Sequence, residues 1–152
     1  MTKRALYLEQ IHQACACRAL RKAELAGYGL TYAGDQNAAK RGAKAMSEAL
    51  LTGLRAGEAD LRAYIPGPKL IQFELKTEVG RVSEDQKDRH ELMESIGFHV
   101  HVIQHKQPVD TAQEIMAIVA WEMGLDLANK VKFTNFAIEA TEEVLTATKT
   151  KR

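Results

Sequence analysis

Hydrophobic and polar residues alternate along two short segments near the middle of the chain, residues 60–65 and residues 71–76. A period of two is typical of β-strands that have one apolar face. Between the segments lies a Pro-Gly-Pro sequence at residues 66–68, which is typical of a turn. The pattern therefore predicts an antiparallel hairpin over residues 59–77.

The predicted hairpin brings acidic and basic side chains together on its polar face. If the loop is centred on Gly67, Asp60 lies opposite Glu74, with their Cβ atoms about 4.5–5.5 Å apart. Two carboxylates this close repel each other unless a proton or a cation lies between them. Lys76 shares the face of Glu74, and such a group can hold a divalent metal and a water molecule. The alternative is a polar strand face exposed to solvent.

Longer periodic patterns lie on both sides of the hairpin. They predict helices over residues 3–26, 40–51, 83–96 and 111–123, an amphipathic stripe over 133–145, and short strands over 30–33 and 98–104. Pro108 is expected to end the part of the chain that contains the hairpin. Ser83 and Gln86 match a capping box, so Gln86 has a purely structural interpretation at the start of its helix.

Composition is that of an ordinary globular protein. The chain has 152 residues, of which 45% are apolar and 27% charged, and this predicts one domain. No apolar run reaches the ~18 residues of a transmembrane helix, and the N-terminus lacks the pattern of a signal peptide. A cytoplasmic location is therefore expected. Cys15 and Cys17 point to different faces of a predicted helix, and we expect reduced thiols there.

The net charge of +1 conceals an uneven distribution. Residues 1–57 carry nine basic and four acidic residues, whereas residues 58–152 carry twelve basic and sixteen acidic residues. A basic N-terminal half beside an acidic strand pair fits a phosphodiester substrate, although ordinary surface variation is the alternative. Lys40, Arg41 and Lys44 cluster at a predicted helix start, where the helix dipole favours anions, so contact with a phosphate backbone is favoured there.

Several of these residues together resemble a known family. An aspartate followed by a strand ending in Glu-x-Lys is typical of the PD-(D/E)xK nuclease superfamily. Residues 55–61 and 74–87 resemble the turn, the two acidic strands and the following helix start of its VRR-NUC branch. Glu9 and Gln13 resemble that branch's N-terminal Glu-x-x-x-Gln helix. Ala59 stands where the branch usually has proline, which leaves the chemistry intact but affects the turn.

The resemblance implies a fold and a set of site residues. The fold would be α/β of the restriction-endonuclease type, a central mixed sheet flanked by helices. Asp60, Glu74 and the main-chain carbonyl of Leu75 would bind Mg²⁺, for which Mn²⁺ would substitute. Lys76, Gln86 and Glu9 would be the catalytic residues. The predicted nucleic-acid contacts are Asn37, Lys40, Arg41, Lys44, Arg55 and Lys87.

The resemblance also implies a function and an assembly. The expected activity is Mg²⁺-dependent DNA endonuclease action on branched DNA, similar to a Holliday-junction resolvase, in a bacterial or phage-infected cell. A sequence- or end-directed nuclease and an inactive DNA-binding or assembly protein are the alternatives. Residues 1–107 would form the nuclease core, residues 108–148 a helical extension and residues 149–152 a frayed tail. The extension would either pair two subunits in a homodimer or fold back on its own sheet.

Overall fold

The computed structural model describes residues 3–35 and 42–150. This part of the chain contains five helices and a four-stranded sheet, and it confirms the predicted α/β class. In chain order the elements are α1 (Lys3–Leu25), β1 (Thr31–Gly34), α2 (Ala43–Leu51), β2 (Leu61–Ile65), β3 (Lys69–Thr77), α3 (Glu84–Ser95), β4 (Val100–His105), α4 (Pro108–Glu122) and α5 (Leu127–Thr150).

The sheet is mixed, with the strands in the order β1-β2-β3-β4. Strands β1, β2 and β3 are antiparallel to their neighbours, whereas β4 runs parallel to β3. The hairpin of β2 and β3 has the predicted register, with Leu61 opposite Phe73 and Ala63 opposite Ile71. Gly67 lies in the connecting turn with φ = +90°, a conformation that glycine adopts without steric cost. The hairpin prediction is therefore confirmed.

Helices α1, α4 and α5 pack against one another, and α1 and α4 also contact β3. The apolar face of the hairpin and the buried faces of these helices form one hydrophobic cluster. Its largest fully buried apolar side chains are Phe73, Phe133, Leu20, Leu61, Ile103, Ile115 and Met116. The apolar stripes of the two C-terminal helices are thus buried against the chain's own α1 and sheet.

Polar contacts join the same layer of helices. His12 Nδ1 of α1 and Thr111 Oγ1 of α4 are 2.7 Å apart, and both side chains are buried. Cys15 and Cys17 are free thiols, as expected. Burial raises the pKa of the Cys17 thiol to about 11, so it remains protonated at neutral pH. No helix in the described part of the chain is long and apolar enough to cross a membrane.

Two predicted boundaries in the C-terminal helices were wrong. Helix α4 begins at Pro108 rather than Thr111, because proline suits the first helical position, where its missing N–H leaves no partner unsatisfied. Helix α5 begins at Leu127, before the predicted stripe, and it continues through Lys149 to Thr150. Asp126 Oδ1 accepts a hydrogen bond from the Asn129 N–H at 2.9 Å, which is the contact of an N-cap residue.

The packing of α5 predicts a large difference between two substitutions on this helix. Phe133 is fully buried and Leu127 is 77% exposed. Phe133→Ala should lower the free energy of unfolding by about 3–5 kcal/mol, since it leaves a cavity, whereas Leu127→Ala should change it by less than about 0.5 kcal/mol. Urea denaturation followed by circular dichroism measures both values. Equal effects of the two changes would contradict the packing of α5 on the core.

Candidate active site

The site lies where the start of β2 meets the end of β3. Asp60 immediately precedes β2, and Glu74 and Lys76 lie near the C-terminal end of β3. The antiparallel register that pairs Leu61 with Phe73 places Asp60 beside Glu74. The Leu75 N–H donates a hydrogen bond to Asp60 Oδ2 at 2.8 Å. This bond holds the Asp60 carboxylate against the strand that carries the other two residues.

Glu74 and Lys76 are buried, which overturns the interpretation of a solvent-exposed strand face. Glu74 is 1% exposed and Lys76 is 7% exposed. Lys76 Nζ lies 3.2 Å from Glu74 Oε1. The other oxygen, Glu74 Oε2, is buried and has no hydrogen-bond partner among the described residues. Because buried polar atoms are nearly always paired, this oxygen is a candidate ligand atom.

Burial and mutual repulsion change the acidity of both carboxyl groups. Burial, together with the nearby Asp60 charge, raises the pKa of Glu74 to about 8, while Lys76 opposes the shift. Burial also raises the pKa of Asp60, and the hydrogen bond from the Leu75 N–H opposes that shift. At neutral pH the pair therefore binds a proton, in the position where a cation would relieve the same repulsion.

Gln86 forms the predicted capping box and also contacts Glu74, using the two ends of one amide. Its Oε1 accepts a hydrogen bond from the Ser83 N–H at 2.9 Å, and its own N–H donates to Ser83 Oγ at 3.2 Å, which completes the capping box. Its Nε2 donates a hydrogen bond to Glu74 Oε1. The capping box thus fixes the rotamer of Gln86, and Gln86 in turn orients the Glu74 carboxyl.

Gly57 brings the turn before Asp60 against the first turn of α3. Its φ is +78°, and a Cβ atom added to it would lie 2.4 Å from the carbonyl oxygen of Asp85. No real Cβ approaches backbone so closely, so only glycine allows this contact. The contact positions Asp60 and Gln86, which follow Gly57 and Asp85 along the chain, on the same side of the site.

An ion-pair cluster that was not predicted supports the same junction. Glu58 Oε1 accepts from Arg62 at 2.7 Å, and Glu58 Oε2 accepts from Arg89 of α3 at 2.7 Å. Although burial opposes the change, these hydrogen bonds lower the pKa of Glu58. The Glu58–Arg62 spacing of four residues was visible in the sequence. Arg89 is distant in sequence and gave no such signal.

Helix α1 reaches the site from the other side. Gln13 Nε2 donates to the Asp60 carbonyl oxygen at 3.2 Å. Glu9 is half-buried, and burial raises the pKa of its carboxyl, with Lys76 lowering it and Asp60 raising it. Glu9 is therefore close enough to the predicted catalytic residues to be influenced by their charges. Its spacing of four residues from Gln13 places both side chains on one face of α1.

The predicted nucleic-acid contacts lie outside this buried group. Lys87 is exposed and forms an ion pair with Glu84 at 2.7 Å, and the exposed Lys44 lies 4.0 Å from Glu48. The Arg55 side chain is exposed and has no ion pair or hydrogen bond within residues 3–35 and 42–150, although its main-chain carbonyl accepts from the Glu58 N–H at 3.4 Å. The other three predicted contacts, Asn37, Lys40 and Arg41, lie outside the described residues.

The donor atoms of the site fit a hydrated oxygen-binding cation. Within the described residues, no group of three or more His, Cys, Asp or Glu side chains is arranged to hold a metal ion. Asp60 and Glu74 nonetheless offer two carboxylates, one with a buried unpaired oxygen. Mg²⁺ commonly binds through one or two carboxylates and keeps several water molecules. The residues present therefore fit Mg²⁺ better than a metal that requires a complete protein cage.

The chain was also compared with known proteins. Neither protein-family models, nor curated proteins, nor solved structures gave a match.

The close contact at Gly57 predicts that alanine there is destabilising for a steric reason. A second glycine with positive φ but no close contact, Gly53, allows this steric cost to be separated from the cost of backbone strain. Gly57→Ala and Gly53→Ala both place alanine at positive φ, but a Cβ at Gly53 meets nothing within 4 Å. Gly53→Ala should cost about 1–2 kcal/mol. Gly57→Ala should cost about 1–3 kcal/mol more, because the Asp85 backbone must move. Chemical denaturation of both variants measures the difference, and equal losses would contradict the contact.

The raised pKa of Glu74 predicts how stability depends on pH. A carboxyl group that binds its proton more tightly in the folded state stabilises the fold at low pH. This stabilisation is lost as the pH rises from 4.5, the ordinary pKa of glutamate, towards 8, the approximate pKa of Glu74 in the folded protein. Glu74→Gln should remove this loss, so the variant should be more stable than wild type at pH 8.5. Thermal unfolding at pH 5 and pH 8.5 gives the comparison. Parallel pH profiles for the two proteins would show that Glu74 titrates normally.

Proposed function

We propose that this protein is a Mg²⁺-dependent endonuclease that hydrolyses DNA phosphodiester bonds and prefers branched DNA. The observation that carries the proposal is the group of the partly buried Asp60 with the buried Glu74 and Lys76, in which Glu74 Oε2 has no hydrogen-bond partner in the described part of the chain. Two carboxylates held together inside a protein form a natural cation site. The sequence resemblance to the VRR-NUC branch supports the same chemistry.

Oxygen atoms of the two acidic strands would hold the metal. They are the carboxylates of Asp60 and Glu74 and the main-chain carbonyl of Leu75. Mn²⁺ would substitute for Mg²⁺, because it accepts the same oxygen ligands. When bound, the ion supplies a Lewis acid for the phosphate and lowers the pKa of a coordinated water.

Lys76 supplies the positive charge that the reaction needs. Its Nζ is held 3.2 Å from Glu74 Oε1 in a buried position. In the proposed reaction, Lys76 orients or deprotonates the attacking water and offsets the charge that develops on the phosphate. Gln86 keeps Glu74 oriented through its Nε2 hydrogen bond. Glu9 completes the outer part of the site or helps to hold a second ion.

The DNA backbone would lie along exposed basic residues. Arg55, Lys44 and Lys87 are the described candidates, with Asn37, Lys40 and Arg41 beside them in the sequence. The ion pairs of Lys44 and Lys87 are exposed and therefore weak, so both lysines can exchange their partners for phosphates. A DNA substrate and two free thiols favour a cytoplasmic location.

A homodimer is the assembly that a branched substrate favours. A four-way junction must be cut in two symmetric strands, and a C2 dimer supplies two sites with matching symmetry. Exposed apolar side chains remain on the C-terminal helices even though their buried faces belong to the core. They are Trp121, Leu127, Val131 and Ile138. These residues offer apolar surface for subunit pairing.

Cleavage of defined DNA substrates tests the proposed function. The wild-type protein should cut a four-way junction in paired positions with Mg²⁺, cut linear duplex much more weakly, and behave as a dimer in light scattering. Glu74→Gln should slow cleavage by at least about 100-fold, since loss of a metal ligand exceeds loss of its supporting contacts. Mg²⁺ should raise the melting temperature of wild type but not of this variant.

Glu142→Gln is the matched control, because Glu142 is an exposed carboxylate on α5 and is remote from the site in sequence. It should cut at the wild-type rate. Full activity of Glu74→Gln would refute the proposed site. A monomer that cuts linear duplex as readily as junctions would favour the sequence- or end-directed alternative. DNA binding with no cleavage of any substrate would favour the inactive DNA-binding alternative.

A further inference from the structure

The loop that follows Lys76 is held in a fixed shape by one side chain. This loop, residues 78–83, connects β3 to α3. Gln104 of β4 donates from Nε2 to the carbonyl oxygens of Thr77 at 2.9 Å, Glu78 at 3.2 Å and Gly80 at 2.6 Å. The amide nitrogen carries two N–H groups, so at least one of them is shared between two carbonyl groups. Because one side chain binds three carbonyl groups of the loop, it restricts the shape of the loop.

The same loop lies directly against the site lysine. A Cβ atom added to Gly80 would lie 3.4 Å from Lys76 Cδ. Gly80 therefore packs beside the Lys76 stem, and Arg81 is the next residue along the loop. Any phosphate held near Lys76 would have the loop as a neighbour.

Arg81 differs from most of the arginines whose side chains the structure describes. Arg18, Arg21, Arg62 and Arg89 all form ion pairs. Arg81 is exposed and has no hydrogen bond or ion pair with any described residue. It lines an open groove of about 650 Å³ together with Lys87, Gln104 and one acidic residue, Glu78. A guanidinium with all its donors available suits bidentate contact with a phosphate.

Val79 is the apolar residue beside this positive charge. Its side chain is 82% exposed at the tip of the loop. An exposed valine held on a rigid loop has no packing role. Apolar side chains of this kind contact bases and sugars where DNA is unstacked or bent. Such nucleotides occur at a branch point and not within a regular duplex.

We propose that residues 78–83 form a DNA-contact surface beside the active site, in which Arg81 binds a backbone phosphate and Val79 contacts an unstacked nucleotide of branched DNA. Gln104 is the positioning residue that holds the loop for both contacts. The charge of Arg81 and the open groove match a polyanionic partner, and the exposed Val79 distinguishes a distorted strand from a regular duplex. This inference rests on the proposed function, because it names how the same site selects its substrate.

Equilibrium binding tests the proposal without cleavage. Fluorescence anisotropy would measure binding of a labelled four-way junction and a linear duplex of equal length, with Ca²⁺ in place of Mg²⁺, at several salt concentrations. Arg81→Ala should weaken binding of both DNAs about tenfold. It should also reduce the slope of log affinity against log salt by about 0.9, the value for one phosphate contact. Lys132→Ala, which removes an exposed charge on α5, is the matched control and should leave the slope unchanged.

Val79→Ser should weaken junction binding about fivefold while leaving duplex binding unchanged, since only the junction offers an unstacked base. Leu25→Ser is its control, because Leu25 is an exposed apolar residue at the end of α1, remote from the loop in sequence. Gln104→Ala should weaken junction binding, and its effect should not add to that of Arg81→Ala if Gln104 positions the arginine. Melting temperatures within about 2 °C of wild type would show that the variants remain folded.

Several outcomes would decide the matter. Wild-type affinity and salt slope in Arg81→Ala would overturn the loop proposal, while Mg²⁺-dependent cleavage by the wild type would leave the proposed function intact. Equal loss of junction and duplex binding in Val79→Ser would also overturn it. Binding that depends on the loop in a protein that cuts no DNA would support the surface and refute the nuclease. A wild-type protein that binds no DNA would refute both.

Discussion

Burial of the Glu74 carboxyl is the constraint on which the site depends. A buried charge is costly unless it is paired, and here one oxygen contacts Lys76 and Gln86 while the other has no hydrogen-bond partner in the described part of the chain. The protein tolerates this arrangement because burial raises the pKa of Glu74 to about 8, so that the Glu74 carboxyl is mostly protonated and uncharged at neutral pH. In the proposed function, a divalent cation would relieve the same repulsion between Glu74 and Asp60.

Three separate segments must meet for this carboxyl to be held in place. The turn at Gly57 contacts the Asp85 backbone, the capping box sets the Gln86 rotamer, and Glu58 joins the turn to Arg89 of α3. Each contact involves backbone or a charged group in a partly buried position, where small displacements are costly. The first turn of α3 therefore has two functions: its capping box stabilises the helix, and its Gln86 side chain forms one side of the site.

The layers of the fold explain why the site is asymmetric. Helices α1 and α4 cover one face of the sheet with apolar contacts, α5 packs on these two helices, and together they provide the core. Residues that alternate with the core residues of β3 point to the opposite face, where α3 supplies Gln86. Helix α1 joins the two sides, because it buries Leu20 in the core and brings Gln13 to the Asp60 carbonyl. The same helices and strands thus contribute some residues to the hydrophobic core and different residues to the site.

The sequence by itself determined features that depend on neighbouring residues. Strand alternation and the Pro-Gly-Pro turn determined the hairpin register, and the Ser83–Gln86 spacing determined the capping box. Only the tertiary structure decided that Glu74 and Lys76 are buried, that Gly57 fits against Asp85, that Arg89 pairs with Glu58 and that Gln104 holds the loop after β3. Local periodicity records which residues share a face, whereas burial and partners depend on segments that are distant in the chain and meet only when it folds.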